Sequence, residues 1–192
     1  MIATLLLAAG KSSRMGARDK LLETVDGVPL LALLTARALS VGPTFVTLPS
    51  ADHPRRSALP QSAQIVVVDT NLGMAHSIKA GVAALPDTAT GVVILPADMP
   101  DITAADMAAI HAAASGSSLP IVRANTQDGR VGHPIYFAAS QFHRFADLDG
   151  DRGAHRLTVG LEDQIRLVTL DGDRALLDLD TPEDWAAYRA RT

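Results

Sequence analysis

The sequence predicts an α/β fold in which a mostly parallel sheet carries helices on both faces. Short apolar runs rich in Val, Ile and Leu alternate along the 192 residues with stretches of helical character. Several of these runs are apolar throughout, which is typical of strands that are buried on both sides. The pattern indicates a three-layer, Rossmann-like arrangement. Because the chain is 47% hydrophobic, we expect a single well-buried domain over residues 1–192.

The predicted elements follow one another in a regular order. The predicted strands lie at residues 2–7, 44–48, 64–68, 91–95, 120–122, 134–137 and 165–170. The predicted helices lie at residues 30–40, 75–84, 104–114, 139–145, 154–161 and 182–190. Thr103 can cap the third helix, and Thr181 followed by Pro182 gives the last helix an N-cap and a proline in its first turn. Residues 49–62 are rich in Pro, Ser and Arg and predict a surface loop.

The composition argues against several classes of protein. The 17 Lys and Arg residues are outnumbered by 21 Asp and Glu residues, and no basic cluster is dense enough to follow a nucleic-acid backbone. There are no cysteines, so a disulfide framework and a thiolate zinc site are both excluded. The apolar run at residues 2–7 is too short for a signal peptide, and no later run is long enough to span a bilayer. We therefore expect a cytoplasmic protein without a nucleic-acid or membrane partner.

The turn after the first strand has the composition of an anion-binding loop. Ala8, Ala9 and Gly10 are small, so a ligand can approach the backbone N–H groups closely. Cationic side chains then follow, among them Lys11, Arg14 and Lys20. We call residues 8–20 the phosphate loop. The alternative interpretation is an ordinary turn from strand to helix with solvated charges.

Two further segments place carboxylates where they can meet this loop. Asp98 follows the predicted strand at residues 91–95, and the carboxyl ends of parallel strands share one edge of a sheet. A carboxylate there suits Mg²⁺, which prefers few protein oxygens together with substrate phosphates and water. Asp178 and Asp180 precede the last helix and would project to the same side of a strand. The alternatives are that Asp98 begins a turn and that Asp180 interacts with the helix dipole.

Five motifs in order carry a resemblance to a known family. They are LAAGKSSRMG at residues 7–16, GMAHSIKAG at 73–81, LPADMP at 95–100, GHP at 132–134 and DLDTPED at 178–184. Together they resemble the molybdenum cofactor nucleotidyltransferases, and most of all the cytidylyltransferase branch. The resemblance covers nearly the whole chain and implies a nucleotidyltransferase fold of the GT-A-like kind.

The resemblance also implies roles for individual residues. Arg14, Lys20 and Asp98 would be catalytic, and Asp98 would hold Mg²⁺ together with an acid of the last motif, for which Asp180 is preferred over Asp178. The residues of the first motif implied to bind the nucleotide are Leu7, Ala8, Ala9, Gly10, Lys11 and Ser12, of which Lys11 and Ser12 would help hold the triphosphate. Those implied for the base and ribose are Asp69, Asn71, Gly73 and Ser77, although a polar cap at a helix start explains this second group equally well.

The acceptor side is assigned by the same resemblance. His133, Arg152 and Arg156 are the residues implied to contact the second substrate. His133 is otherwise explained as an ordinary loop histidine. His155 stands where the family pattern has Arg, so Arg152 or Arg156 would contact an anionic acceptor instead, or the acceptor would differ from the usual pterin.

The function implied is transfer of CMP from CTP to the phosphate of molybdopterin cofactor, with release of pyrophosphate. In the family, alanine at the Ala9 position accompanies cytidine nucleotides and glycine accompanies guanosine nucleotides, so GTP is the alternative donor. A molybdoenzyme that receives the product is a further candidate partner. The alternative functions are nucleotidyl transfer to another phosphorylated small acceptor and non-catalytic carriage of the cofactor.

Overall fold

The computed structural model describes residues 1–191 and confirms the α/β fold. Seven strands form one sheet in the order β5-β4-β1-β6-β8-β7-β9. These strands are β1 (Ile2–Leu7), β4 (Thr44–Leu48), β5 (Gln64–Val67), β6 (Gly91–Pro96), β7 (Ile121–Asn125), β8 (Val131–Ala138) and β9 (Ile165–Thr169). A separate hairpin consists of β2 (Thr24–Val25) and β3 (Val28–Pro29). All seven predicted strands are therefore present, with small shifts at their ends.

Four α-helices accompany the sheet: α1 (Leu30–Leu39), α2 (Gly73–Ala83), α3 (Ala104–Ser115) and α4 (Pro182–Arg189). The predicted caps of α3 and α4 are confirmed, since Thr103 and Thr181 each accept a hydrogen bond from the backbone N–H three residues on. The two other predicted helices were wrong as α-helices. Ala139–Asp147 and Ala154–Thr158 are 3₁₀ helices, held by bonds between residues three apart such as Leu148 N–H to Phe145 O.

The sheet is mostly parallel but contains one reversed strand. β8 runs antiparallel to both β6 and β7, whereas the other neighbouring strands are parallel. β7 and β8 are joined by the short turn at residues 126–130, and a connection of that length requires an antiparallel pair. The reversal brings the start of β8, with Gly132 and His133, to the edge at which β1, β4 and β6 end.

Two apolar layers cover the sheet and fix its position. α1, α3 and α4 lie against one face through residues such as Leu34, Ile110 and Trp185. α2 and the 3₁₀ helices lie against the other face through Ile78 and Leu157, among others. Each fully buried side chain of this kind stabilises the fold by roughly 1.5–3 kcal/mol. None of the helices within residues 1–191 combines the length and apolar character needed to cross a membrane.

Candidate active site

A cleft of about 630 Å³ opens at the edge where the parallel strands end. This is the position at which open α/β sheets bind their ligands. Nine of the predicted site residues line it: Leu7, Ala9, Gly10, Lys11, Lys20, Asn71, Gly73, Ser77 and Asp98. Its remaining lining residues include Thr47, Met74, Pro96, Gly150 and Asp151. The phosphate loop, the start of α2 and the end of β6 thus enclose one space.

The phosphate loop is held in a fixed shape from its first residue. Ala8 is fully buried, and its N–H donates to Thr47 Oγ1 of β4 at 3.0 Å. Ser12 has a left-handed backbone with φ of 50°, which turns the chain into the 3₁₀ helix Ser13–Met15. A Cβ added at Gly10 would meet no atom within 4 Å, so the backbone of the loop faces open space there. The open space is the room that a phosphate group would need.

Lys20 joins two acids on the cleft side of the sheet. Its Nζ donates to Asp98 Oδ2 and to Asp180 Oδ1, each at 2.5 Å. Burial alone would lower the pKa of Lys20, but the charge of Asp98 and the hydrogen bonds to Asp180 and Asp98 outweigh burial and raise it. Arg14 forms an ion pair with the other oxygen of Asp180. The structure therefore brings these four side chains together, while their catalytic roles stay predictions.

The acids also have the character of a metal site. Asp98 Oδ1 is buried and accepts no hydrogen bond from any described residue, so one oxygen is available to a hard cation. Asp178 lies in the same group, and burial followed by the charges of Asp98 and Asp180 raises its pKa. Leu179 N–H donates to Asp98 O at 3.0 Å, which fastens the two acidic segments together.

No set of three or more His, Asp or Glu side chains within residues 1–191 is arranged to hold a metal by itself. The donors present therefore fit a cation that takes most of its ligands from substrate phosphates and water, as Mg²⁺ commonly does. The structure leaves both Asp178 and Asp180 close to Asp98. Asp180 bonds the two cations Lys20 and Arg14, and its part as the second metal ligand stays a prediction.

At the start of α2, two of the backbone N–H groups that a helix start leaves without partners inside the helix are occupied by other residues. Ala75 N–H donates to Gly150 O at 3.0 Å, and Met74 N–H lies 3.4 Å from Asp151 Oδ1. Gly73 has φ of 80°, and a Cβ there would lie 2.4 Å from Gly150 O, so only glycine allows this approach. The segment after the 3₁₀ helix Ala139–Asp147 thus occupies the helix start. The N–H groups of Met74 and Ala75 therefore have protein partners, and a nucleotide in the cleft would meet side chains and the phosphate loop instead.

Polar side chains beside α2 are arranged in a short chain of hydrogen bonds. Lys11 Nζ donates to Asn71 Oδ1 at 2.9 Å. Asp69 accepts from Asn71 N–H at 2.9 Å and so caps the 3₁₀ helix Thr70–Leu72. Asp69 does not line the cleft itself, whereas Asn71 and Ser77 do. Asp69 therefore holds the backbone of Asn71, which lines the cleft, without lining the cleft itself.

The predicted acceptor residues lie in two places. His133 is partly exposed at the start of β8, and burial, the charge of Arg123 and the charge of His155 lower its pKa to about 4. Its imidazole is therefore neutral at pH 7. Arg123 bonds Gly132 O at 3.1 Å and Thr158 Oγ1 at 2.8 Å, and it was not predicted from the sequence.

Arg152 and Arg156 line a separate hollow of about 400 Å³ together with Arg144. Arg152 pairs there with Asp149 at 3.2 Å. The structure does not bring either arginine into the lining of the main cleft, although Arg152 directly follows Asp151, which does line it. Their contact with an acceptor stays a prediction.

Sequence reasoning missed Arg55. It lies in residues 49–62, which were predicted to be a surface loop, yet its side chain is only 2% exposed. The guanidinium bonds Asp19, Ala8 O and Ser12 Oγ, all in the phosphate loop. No local pattern distinguishes Arg55 from the neighbouring Arg56. The one available signal was Asp19, an acid beside the predicted anion site that needed a cationic partner.

Comparison with known proteins agrees with this architecture. Residues 4–165 match the model of the MobA-like NTP transferase domain. PucB of Bacillus subtilis, a purine catabolism protein, is 31% identical over 195 residues, covering 95% of this chain and 93% of PucB. The bifunctional protein GlmU of Novosphingobium aromaticivorans is 35% identical over 123 residues, covering 62% of this chain. Those residues are 27% of GlmU, so the chain matches only about a quarter of that protein.

Solved structures show the same relationship. Rv0371c of Mycobacterium tuberculosis has a TM-score of 0.82 and 31% identity, covering 97% of this chain and 96% of that one. A second structure of Rv0371c, a complex with manganese, has a TM-score of 0.82 and 28% identity and covers 100% of this chain and 99% of that chain. Nucleotidyltransferases of this family typically use a divalent metal, in agreement with that complex. Because the family model covers most of the chain, the protein belongs to the MobA-like NTP transferase family.

Proposed function

We propose that this nucleotidyltransferase is a Mg²⁺-dependent cytidylyltransferase that moves CMP from CTP to the phosphate of molybdopterin cofactor and releases pyrophosphate. The observation that carries the proposal is the Lys20 ammonium, which lies 2.5 Å from both Asp98 and Asp180 at the edge of a cleft lined by the phosphate loop. Small residues, cations and paired acids are the groups that phosphoryl transfer requires, because its catalysis rests on positioning and charge neutralisation.

On the nucleotide side, the loop backbone and Lys11 hold the triphosphate. Arg14 and Lys20 neutralise the negative charge that develops on the α-phosphate and on the departing pyrophosphate. Asp98 and Asp180 would hold a Mg²⁺ ion, which supplies further neutralisation of the phosphate oxygens when it is bound. Since the pKa of Lys20 is raised, its ammonium stays charged throughout the neutral range.

On the acceptor side, the reaction needs no strong base. A phosphate monoester has a second pKa of about 6 and is largely ionised at neutral pH. Its oxygen forms a bond to the α-phosphorus of CTP while the bond from that phosphorus to the bridging oxygen of pyrophosphate breaks. His133, neutral at pH 7, is suited to donate or accept one hydrogen bond rather than to pair with charge. Arg152 and Arg156 can take part if the acceptor extends past Asp151 into the neighbouring hollow.

The base preference rests on Ala9, which lines the cleft. Its methyl group restricts the loop backbone and occupies space that a glycine would leave open to a larger purine. CTP is therefore the proposed donor and GTP the alternative. A molybdoenzyme that accepts the finished dinucleotide is a proposed partner.

A second candidate is transfer to a different phosphorylated acceptor. It is favoured by the similarity to PucB, whose name refers to purine catabolism and not to molybdenum cofactor. It shares every step on the nucleotide side and differs only in the acceptor. Non-catalytic carriage of the cofactor is the third possibility, and Lys20 with Asp98 argues against it because a carrier needs no charge stabilisation for transfer.

The test measures pyrophosphate release for each combination of nucleotide and acceptor. The protein is incubated with Mg²⁺, each of the four NTPs, and either molybdopterin cofactor, another phosphorylated acceptor or no acceptor. We expect release with CTP and molybdopterin cofactor, and none in the Asp98→Asn variant run alongside. Release with a different acceptor would support the second candidate, and tight binding without any turnover would support carriage.

A further inference from the structure

Arg55 is a buried cation that connects three points of the phosphate loop. Its segment lies between β4 and β5, far from the loop in sequence. Among the described residues, its bonds go to Ala8, Ser12 and Asp19. We propose that Arg55 is a positioning residue for the triphosphate of the nucleotide, acting by holding the loop in its binding conformation. This inference rests on the proposed function, since it supposes that the loop binds a triphosphate.

The firmest of these contacts is a two-pronged ion pair with Asp19. Arg55 Nε donates to Asp19 Oδ2 at 2.7 Å and Nη2 donates to Oδ1 at 2.8 Å. Such a paired arrangement fixes both the distance and the orientation of the two groups. Asp19 in turn accepts from Leu21 N–H at 3.0 Å, and these residues flank Lys20. Arg55 therefore anchors the backbone from which Lys20 reaches the acids.

The remaining donors hold the beginning and the middle of the loop. Nη1 donates to Ala8 O at 2.6 Å, while the N–H of Ala8 is held by Thr47. Nη2 also donates to Ser12 Oγ at 2.9 Å, at the residue with left-handed backbone. A loop fixed at these points has little conformational freedom left to lose when a ligand binds, which is the physical meaning of preorganisation.

Arg55 does not line the main cleft, although it lines a neighbouring hollow of about 350 Å³ together with Gly10 and Lys11. Its side chain is 2% exposed, and its guanidinium donates to residues of the phosphate loop. The local backbone supports this position, because His53 Nδ1 accepts from Arg55 N–H at 3.3 Å at the start of the 3₁₀ helix Pro54–Ala58. The charge of Arg55 is balanced by Asp19, so its effect on phosphate is geometric rather than a direct attraction. Lysine could not replace it fully, because an ammonium lacks the planar fork.

The test compares affinity for two nucleotides that differ in their phosphates. Calorimetry with Mg²⁺ measures the Kd of CTP and of CMP for the wild type, Arg55→Met and Arg55→Lys, with Arg56→Met as the control. The Arg56→Met substitution removes the same charge from the same 3₁₀ helix. Among the described residues, no hydrogen bond or ion pair joins the Arg56 side chain to the phosphate loop. We expect Arg55→Met to raise the Kd of CTP about tenfold or more, as loss of charge-assisted bonds that order a site typically does, and to leave CMP nearly unchanged. Arg55→Lys should fall between Arg55→Met and the wild type, and Arg56→Met should match the wild type.

A merely structural role would weaken CTP and CMP equally, and that result would overturn the inference. Unchanged CTP binding in both Arg55 variants would overturn it as well. If Arg55→Met does not fold, as judged by thermal melting, the Arg55→Lys comparison decides between the same outcomes. A wild-type protein that binds no nucleotide triphosphate would instead contradict the proposed function, so the two failures are distinguishable.

Discussion

Replacing Asp98 by asparagine is the most direct test of the acidic site. The substitution keeps the shape of the side chain and removes one charge. Asp98 Oδ2 and Asp180 Oδ1 each lie 2.5 Å from Lys20 Nζ, so these two oxygens cannot be further apart than twice that distance. Two unit charges about 5 Å apart repel by roughly 3 kcal/mol at an effective dielectric of about 20. Solvent reduces this figure because the Asp180 side chain is 32% exposed.

This repulsion determines what the substitution does to stability. Asparagine removes the repulsion with Asp180 and with Asp178, and it also removes one of the two carboxylates that hold Lys20. Because these changes oppose each other, we expect the free energy of unfolding to change by about 1 kcal/mol or less. Activity should respond differently, since an amide is a poorer metal ligand and loss of charge stabilisation at a transferring phosphate typically lowers the rate by about 10²-fold or more.

The assay is pyrophosphate release at saturating CTP and acceptor, together with denaturant unfolding of the same preparations. Asp87→Asn is the control, because Asp87 is exposed on the turn after α2, outside the cleft lining, and loses the same charge. Near-normal turnover of Asp98→Asn at ordinary Mg²⁺ concentration would refute the assignment of the metal site. A loss of activity that is matched by loss of folded protein would refute the argument about stability.

Three other predictions follow from the same geometry. Arg14→Ala and Lys20→Ala should lower kcat more than they raise the KM of the nucleotide, because their charges act on the transferring group, and a change confined to KM in steady-state kinetics would make them simple binding contacts. Ala9→Gly should relax the preference for CTP over GTP by about 1–3 kcal/mol without fully inverting it, and a wild type that favours GTP in side-by-side kinetics would contradict this. The pKa of His133 is about 4 in the folded protein, against an ordinary value of 6.5. Between these two values only the unfolded chain binds a proton at His133, so the free energy of unfolding should decrease as the pH falls from about 6.5 to about 4. Urea unfolding at pH 7 and pH 5 should therefore show a smaller loss for His133→Gln than for the wild type, and equal losses would show that His133 titrates normally.

The strands were predictable because their signal is local. Apart from Thr4, the runs of β1 and β6 contain no polar side chain, and they lie in the middle of the sheet, where both faces are covered. The direction of a strand is not encoded in such a run, which is why the reversal of β8 was not predicted. The short turn at residues 126–130 imposes that direction, and its length was the available clue.

The site was predictable only where its residues belong to continuous motifs. The phosphate loop, Asp98 and Asp180 lie together because the first two follow strand ends at one edge of the sheet and Asp180 immediately precedes α4. Arg55 could not be identified in this way, because its contacts join segments 36 to 47 residues apart. The hydrogen bonds that the start of α2 donates to Gly150 and Asp151 are also long-range, so no local sequence pattern indicates them.

The two cations that share Asp180 differ in how freely they can move, and this difference indicates how charge is redistributed when a nucleotide binds. The Arg14 side chain is 68% exposed and is held by one acid, whereas Lys20 is 12% exposed and is held by two. An exposed ion pair stabilises a structure by at most about 1 kcal/mol, so Arg14 can exchange Asp180 for a phosphate oxygen at little cost. Lys20 cannot leave without exposing two partly buried carboxylates to each other. We therefore expect Arg14 to be a mobile contact that follows the triphosphate, and Lys20 to be a fixed charge around which the transferring group is placed.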